Sequence, residues 1–384
     1  MIDRPYDLCV LGAISVGLFV PAVPWLGNPS NLTALLLLGC LIFGSRRREL
    51  RDLFYGMLLV ASLAIVSTVT GLLVTNGAYA FNPNPFAVFL RIYICYLAIR
   101  SANDVRKMQP ALLWMGVATS AFAVGQFYLP SFSDLTRTYY LATERIAVFG
   151  NDLDGDALVR VIGPYENPSS VALVSIVLVL FTFHLYSQKR LSLVWALFCS
   201  AVNILAGLFS LSKLFFITAP LLLVQLFALG YRRTVVMVIL ATMAVAEIFF
   251  TQDNLLVDVV RYAMNAAVDP AVALEGRYLV EQLEAVFRSP IFGYGLIELS
   301  NVVINDSAYL SIVYLIGGFG LCVFGALLIV WILRRLSVLP VTFFLTVVTI
   351  MVAGVGANSI LGYRLDVFLS ALCSMLYLNN KLSR

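Results

Sequence analysis

Long apolar runs alternate with short polar segments along almost the whole chain. A helix that crosses a bilayer needs about 20 consecutive, mainly apolar residues, so each run predicts one membrane-spanning helix. The second and fourth runs are short and would cross by recruiting flanking residues or by tilting. The pattern therefore predicts a single polytopic, all-α membrane domain over residues 1–384. Its twelve predicted helices cover residues 7–26, 32–44, 53–74, 86–99, 108–129, 170–187, 191–211, 214–230, 234–250, 308–333, 339–356 and 360–378.

Lysine and arginine collect in alternate loops, which predicts the orientation of these helices. With the amino terminus on the cytoplasmic side, the basic loops all fall on that side, and both termini are cytoplasmic. The predicted inner basic segments are 46–51, 100–107, 189–190, 232–233 and 334–335. Residues 130–169 and 251–306 contain 14 of the 21 acidic residues and form two long outer loops.

Composition excludes several classes of function. Hydrophobic residues make up 61% of the chain and charged residues 12%, whereas about a quarter of a soluble domain is charged. The net charge of +4 comes mainly from the topology-setting loops, so nucleic acid is not an expected partner. The six cysteines lie in apolar runs without close pairs, and His184 is the only histidine. We therefore expect no disulfide, no metal site and no cofactor.

Several basic residues lie away from the inner loops, and two of them suggest an anion site. Arg160 opens a polar, turn-rich stretch that ends at Pro168, just before a predicted helix, and Arg277 opens another outer segment. Arginine binds phosphate oxygens in a planar, bidentate manner, and a helix amino terminus also favours an anion. Tyr165 and Asn167 lie in the first stretch. These residues predict a metal-independent diphosphate site.

Arg91, Lys213 and Arg288 are further candidates for this site. Arg91 interrupts an apolar run, where it either makes a structural ion pair or lines a polar cavity. Arg364 and Asp366 are close enough in sequence to neutralise each other. Lys213 lies in a short outer turn, where it either binds a ligand or extends its ammonium group to the membrane surface.

Four segments occur in an order that resembles a known family. They are Arg160–Pro168, Ser210–Lys213, the pair Gly276–Tyr278 and Arg288–Gly295, and Asn305–Leu310 followed by Gly317–Gly318. Over roughly residues 140–325 the chain resembles the O-antigen ligase and Wzy-type polysaccharide polymerase superfamily. The first five predicted helices resemble that superfamily only in being hydrophobic.

This resemblance implies a GT-C-like membrane glycosyltransferase in the bacterial inner membrane, with its active site facing the periplasm. It would transfer glycan from an undecaprenyl diphosphate carrier, with Arg160, Arg277 and Lys213 holding the diphosphate. The growing polysaccharide, membrane lipid, a flippase and a chain-length regulator are the implied partners. The ligases carry a histidine near Asn305 or Asp306 that this chain lacks, so we expect a polymerase first. A surface-polymer ligase is the alternative, and a lipid-linked sugar flippase is a third.

Two carboxylates are candidates for the general base, because each lies beside one of these segments. They are Glu166 and Asp306. Between Gly276 and Pro290, apolar residues recur at helical spacing from Tyr278 to Phe287 and predict an amphipathic helix on the membrane surface. That helix would either pack on the bundle as a cover or contact the substrate directly.

Overall fold

The computed structural model has a helix wherever a predicted span falls within the residues that it describes. These residues are 5–20, 29–44, 47–75, 79–129, 161–165, 167–210, 212–231, 277–299, 308–333, 340–356 and 365–379. Eleven of the twelve predicted spans lie largely within these ranges, and each is helical. The ninth span, residues 234–250, lies outside the described residues.

The helices are numbered here in chain order. Those of the first half are α1 (Pro5–Phe19), α2 (Pro29–Gly44), α3 (Arg47–Val74), α4 (Asn84–Ser101) and α5 (Val105–Tyr128). Those of the second half are α6 (Pro168–Ser187), α7 (Leu193–Phe209), α8 (Lys213–Thr218), α9 (Pro220–Ala228), α10 (Arg277–Arg288), α11 (Ala308–Leu333), α12 (Val341–Gly356) and α13 (Leu365–Asn379). A short 3₁₀ turn, Gly163–Tyr165, precedes α6.

Short polar side chains determine where several helices begin. The side chains of Asp104, Asn167, Ser192 and Ser212 accept hydrogen bonds from backbone N–H groups in the first turns of α5, α6, α7 and α8. These bonds satisfy donors that have no partner within the helix. Helices α8 and α9 form one apolar span that is interrupted at Ala219, because Pro220 has no amide hydrogen.

Three sets of contacts define one end of the bundle, here called the Asp7 end. The Asp7 carboxylate accepts hydrogen bonds from backbone N–H groups of the turn between α4 and α5. Arg100, at the end of α4, pairs with Asp52 of α3 at 3.0 Å. Arg190, between α6 and α7, donates to Gln109 of α5 at 2.5 Å. The basic loops that were predicted to be cytoplasmic therefore lie at one end, where the structure describes them.

A two-stranded antiparallel ribbon marks the opposite end, here called the ribbon end. Strand β1 (Tyr79–Phe81) follows α3, and strand β2 (Ile297–Leu299) follows α10. Tyr79 pairs with Leu299, so these segments meet although they are far apart in sequence. The sequence did not predict the ribbon, because strands of three residues are too short to show an alternating pattern.

The amphipathic helix that was predicted between Gly276 and Pro290 is confirmed as α10. Ala285 and Val286 are buried in a small core with Tyr294 and residues of α11, whereas Phe287 is 73% exposed. Helix α10 therefore packs on the ribbon end through one face and leaves an aromatic side chain uncovered.

The largest core surrounds α6, which is buried along almost its full length and packs against α5, α7, α8 and α12. Helix α13 is also mostly buried, against α4, α5, α2 and α1. In contrast, α3 exposes a long apolar side, with Leu73 at 80%. Among the described helices, α3, α5 and α6 are long and apolar enough to cross a membrane, and several others are apolar but shorter. The protein is an all-α structure of the membrane type.

Candidate functional site

The predicted site residues differ in how far the structure describes them. Arg160, Glu166 and Asp306 lie outside the described residues. Lys213 is the first residue of α8, and Arg277 is the first described residue of α10. For both residues the structure describes the backbone. The side chains of the other four candidates are described: Arg91, Tyr165, Asn167 and Arg288.

The backbone that follows Arg160 is fixed by hydrogen bonds at the ribbon ends of α5 and α7. The side-chain oxygen of Gln126 accepts from the N–H groups of Ile162 at 3.2 Å and Gly163 at 2.9 Å. The N–H of Val161 donates to the carbonyl of Phe209 at 3.2 Å. Gly163 has φ of +54°, a conformation that L side chains rarely adopt. This segment is therefore held from two helices immediately before α6 begins.

Tyr165 anchors the 3₁₀ turn to the interior of the bundle. Its hydroxyl lies 2.6 Å from Thr119 Oγ1, and the Thr119 hydroxyl donates its own proton to the carbonyl of Gly116. The Tyr165 hydroxyl is therefore the donor to Thr119. The tyrosine is 7% exposed, so the structure gives it a packing role, and its predicted contact with glycan stays a prediction.

Asn167 caps α6, and the cap lies beside the turn that begins α8. Asn167 Oδ1 accepts from the N–H of Ser169 at 2.8 Å. The Ser169 hydroxyl in turn accepts from the Ser212 hydroxyl at 3.3 Å, and Ser212 caps α8. Two helix amino termini thus meet at the ribbon end, with Lys213 in the first position of α8. Two of the four segments noted in the sequence are brought together here.

The other two segments pack against each other around a break in α11. Gly317 leaves helical geometry, with φ of +68° and ψ of 175°, inside the Ala308–Leu333 helix. The N–H groups of Tyr294 and Gly295 donate to carbonyls of α11 before the break, at 2.6 and 2.9 Å. The N–H of Gly318, after the break, donates to the carbonyl of Pro290 at 2.7 Å. The segment Pro290–Gly295 thus replaces helical hydrogen bonds that the break removes.

Close backbone contacts explain the glycines of this second group. A Cβ atom at Gly317 would overlap the Ile291 carbonyl, and one at Gly293 would lie 2.5 Å from the Tyr314 carbonyl oxygen. Tyr294 is 1% exposed, stacks on Tyr314 with ring centroids 4.7 Å apart, and donates its hydroxyl proton to the Ala285 carbonyl of α10. The loop therefore ties α10 to α11.

Arg288 ends α10 beside this loop, and its side chain is exposed. Among the described residues it makes no hydrogen bond or ion pair. Burial raises the pKa of the Tyr294 phenol, and the positive charge of Arg288 opposes that rise. Arg288 is thus an exposed cation at the ribbon end without a partner among the described residues.

Arg91 is committed to an ion pair inside the bundle. Its Nε donates to Asp366 Oδ2 at 2.5 Å, and its Nη1 donates to Asn31 Oδ1 at 2.8 Å. The side chains of Arg91 and Asp366 are 2% and 0% exposed. Arg91, rather than the nearby Arg364, is therefore the described partner of Asp366, and Arg364 lies outside the described residues. The pair joins α2, α4 and α13.

Sequence reasoning overlooked the residues that hold these segments in place. Gln126 and Thr119 of α5 each bind backbone or side chain of the 161–165 segment, and Thr68 of α3 accepts from the N–H of Leu296 at 2.9 Å. All three are polar positions within apolar helices, and that interruption of an apolar run was the available signal. Within the described residues, no group of three His, Cys, Asp or Glu side chains is placed to hold a metal ion.

The buried polar contacts and the apolar outer faces are those of a helical membrane protein, and two groups of polar segments pack at its ribbon end. Comparison of the chain with protein-family models, curated proteins and solved structures finds no match.

Proposed function

We propose that this protein is a membrane glycosyltransferase that polymerises polyprenyl-diphosphate-linked oligosaccharide repeat units into a surface polysaccharide or exopolysaccharide. In this proposal the ribbon end faces the periplasm of a bacterial inner membrane, and the donor lipid reaches the site from the bilayer. The proposal is supported by the resemblance of the four segments to the polymerase and ligase superfamily. It is also supported by the packing of those segments into two groups.

The observation that carries the proposal is the meeting of two helix amino termini at the ribbon end, with a cation in the first position of one. Lys213 is the first residue of α8, and Ser212, which caps α8, contacts Ser169 in the first turn of α6, while Arg277 lies in the described part of α10. A helix amino terminus carries a partial positive charge, so a cation there is unfavourable by itself and an anionic ligand offsets the repulsion. A diphosphate supplies such a ligand. Arg160 directly precedes the pinned Val161, and exposed Arg288 adds a further positive charge.

The proposed reaction needs charge neutralisation more than any other form of catalysis. The hydroxyl oxygen of the acceptor sugar attacks the anomeric carbon of the donor, and the bond from that carbon to the diphosphate oxygen breaks. The electron pair of that bond leaves with polyprenyl diphosphate, where arginine and lysine stabilise the developing charge. The hydroxyl proton passes to a carboxylate, for which Glu166 and Asp306 are the candidates. Arg91 is left out of the proposed site, because its side chain is 2% exposed and already donates to Asp366 and Asn31.

The test is incubation of the purified protein in lipid nanodiscs with a polyprenyl diphosphate oligosaccharide. A ladder of products that differ by one repeat unit is expected. Arg160→Ala and Arg277→Ala should each abolish the ladder while the protein keeps its thermal stability. Arg51→Ala is the matched control, because Arg51 is an exposed arginine of α3 near the Asp7 end.

Different products would point to different enzymes. Transfer of a single glycan to a separate acceptor, without a ladder, would favour the ligase. Movement of the lipid-linked sugar across the bilayer without any new glycosidic bond would overturn the enzymatic proposal. Full ladder formation by both Glu166→Gln and Asp306→Asn would remove these carboxylates as the general base.

A further inference from the structure

A cluster of cations lies at the Asp7 end, where the turn between α6 and α7 meets the start of α5. Arg190 of the turn donates from Nη1 to Gln109 Oε1 at 2.5 Å. Arg106 lies about one helical turn before Gln109 on α5, and Lys107 follows it. Lys189 is exposed and has φ of +57°, a left-handed conformation that is uncommon for a residue with a side chain. The fold thus gathers four basic residues from two segments of the chain.

Part of the Arg106 guanidinium in this cluster is left without a partner by the described residues. The buried Nε of Arg106 has no hydrogen-bond partner among the residues that the structure describes. Burial and the positive charge of Arg106 both lower the pKa of Arg190, so the two guanidinium groups repel each other. Asp104 opposes this effect, but its carboxylate also lies 3.8 Å from Lys107 Nζ.

The carboxylate of Asp7, at the same end of the bundle, is already occupied. Both of its carboxylate oxygens already accept backbone N–H groups, from Asn103 at 2.9 Å and from Asp104 at 3.2 Å. Among the residues that the structure describes, one nitrogen of the Arg106 guanidinium is therefore buried without an acceptor. An anion that offers several oxygen atoms would satisfy this arrangement.

An aromatic patch lies on the outer surface of the same two helices, α5 and α7, further along from the cluster. The rings of Trp114 in α5 and Trp195 in α7 meet edge to face with centroids 5.2 Å apart, and Phe198 packs on Trp195 at 5.8 Å. Trp114 is 38% exposed and Trp195 is 50% exposed. Trp114 is about 12 Å along α5 from Arg106, at 1.5 Å of rise per residue. Tryptophan is enriched where lipid headgroups meet acyl chains, so this pair indicates the depth of that boundary.

We propose that the cluster of Arg106, Lys189 and Arg190 binds the phosphate of an anionic phospholipid, with an acyl chain along Trp114, Trp195 and Phe198. A lipid fits both parts of the surface, because it combines a negative headgroup with an apolar chain. A soluble phosphate would engage the cations but leave the exposed aromatic face uncovered. The inference uses only the Asp7 end and does not depend on the proposed glycosyl transfer.

The test compares two lipids that differ only in the headgroup. Delipidated protein in detergent is titrated with dioleoylphosphatidylglycerol or dioleoylphosphatidylcholine, and bound lipid is counted by native mass spectrometry. Phosphatidylglycerol should bind more tightly. Each basic residue near a membrane surface contributes about a fivefold change in affinity for an anionic lipid, so Arg106→Gln should weaken phosphatidylglycerol about fivefold. Its affinity for phosphatidylcholine should stay the same.

Control variants keep the test decisive. Arg51→Gln removes the same charge from an exposed position of α3 at the same end but outside the cluster, and should weaken phosphatidylglycerol less than Arg106→Gln does. Lys189→Gln provides a second charge variant at an exposed position, so that the test does not depend on the folding of Arg106→Gln, which alters a half-buried side chain. Trp195→Ala should weaken both lipids, because it removes part of the acyl-chain contact.

Three results would overturn the proposal. One is equal affinity of the wild-type protein for the two lipids. Another is a preference for phosphatidylglycerol that survives both Arg106→Gln and Lys189→Gln. The third is full displacement of phosphatidylglycerol by inorganic phosphate at matched ionic strength, which would assign the cluster to a soluble anion.

Discussion

Removing one partner of the Arg91–Asp366 ion pair should destabilise the protein far more than removing a partner of an exposed pair. The substitution Arg91→Met replaces the guanidinium with an apolar chain and leaves the Asp366 carboxylate, which is 0% exposed, without its cation. Breaking a buried pair on one side costs about 3–5 kcal/mol of the free energy of unfolding, because the remaining charge stays out of water. Asn31 also loses a donor at 2.8 Å.

The double variant Arg91→Met, Asp366→Leu separates the net contribution of the pair from the penalty for an orphaned charge. With both charges gone, the free energy of unfolding should return to within about 1–2 kcal/mol of the wild-type value, since apolar replacements of buried pairs are often neutral. Arg100→Met provides the comparison. Its partner is Asp52, both side chains are about a quarter exposed, and the expected cost is at most about 1 kcal/mol.

The assay is reversible unfolding in mixed detergent and dodecyl sulfate micelles, followed by circular dichroism at equilibrium. The decisive quantity is the coupling between the two single substitutions, obtained from the double-mutant cycle. If Arg91→Met costs no more than Arg100→Met, the pair does not hold the bundle together. If the double variant costs the sum of its two single variants, the reasoning from an orphaned charge is refuted.

Three further predictions concern the ribbon end, each measured as a change in the free energy of unfolding in the same assay. Gly317→Ala should cost at least about 3 kcal/mol, because it adds left-handed strain to an overlap with the Ile291 carbonyl, and a cost near zero would show that the break in α11 is adaptable. Gln126→Leu leaves two backbone N–H groups without an acceptor and should cost about 2–4 kcal/mol, whereas a loss below 1 kcal/mol would mean that other acceptors replace the amide. Tyr165→Phe removes one donor while Thr119 keeps its bond to a backbone carbonyl, so the expected loss is about 1 kcal/mol, and a loss above 3 kcal/mol would contradict the assignment of donor and acceptor.

The helices could be predicted from the sequence because a membrane imposes a minimum length of apolar chain. Pro5–Phe19 and Leu365–Asn379 cover most of their predicted runs within the residues that the structure describes. The alternation of basic loops placed Arg100 and Arg190 at one end, and their contacts with Asp52 and Gln109 agree. These features depend on composition averaged over many residues, which a single sequence reveals well.

The contacts of the candidate site could not be predicted in the same way. The pairing of Asp366 with Arg91 depends on how α4 and α13 pack, whereas the sequence offered the nearby Arg364 as an equally simple partner. The sequence shows that residues 293 and 317 are glycines. It does not show that the segment Pro290–Gly295 packs into the break of α11, because that packing depends on long-range backbone contacts. Tyr165 illustrates a further limit, because a tyrosine in a polar stretch gives no indication that its hydroxyl points into the bundle.

The same Arg91–Asp366 pair has a consequence for the order in which the chain is synthesised. The two residues are 275 positions apart, so α4 leaves the ribosome long before α13. At a synthesis rate of about 5–20 residues per second, Asp366 is synthesised roughly 14–55 s after Arg91. During that interval Arg91 lacks its carboxylate partner, so the contact between α4 and α13 cannot form. The last helix therefore acts as the closing element of the whole bundle, and nascent chains that stop before it would remain substrates for membrane quality control.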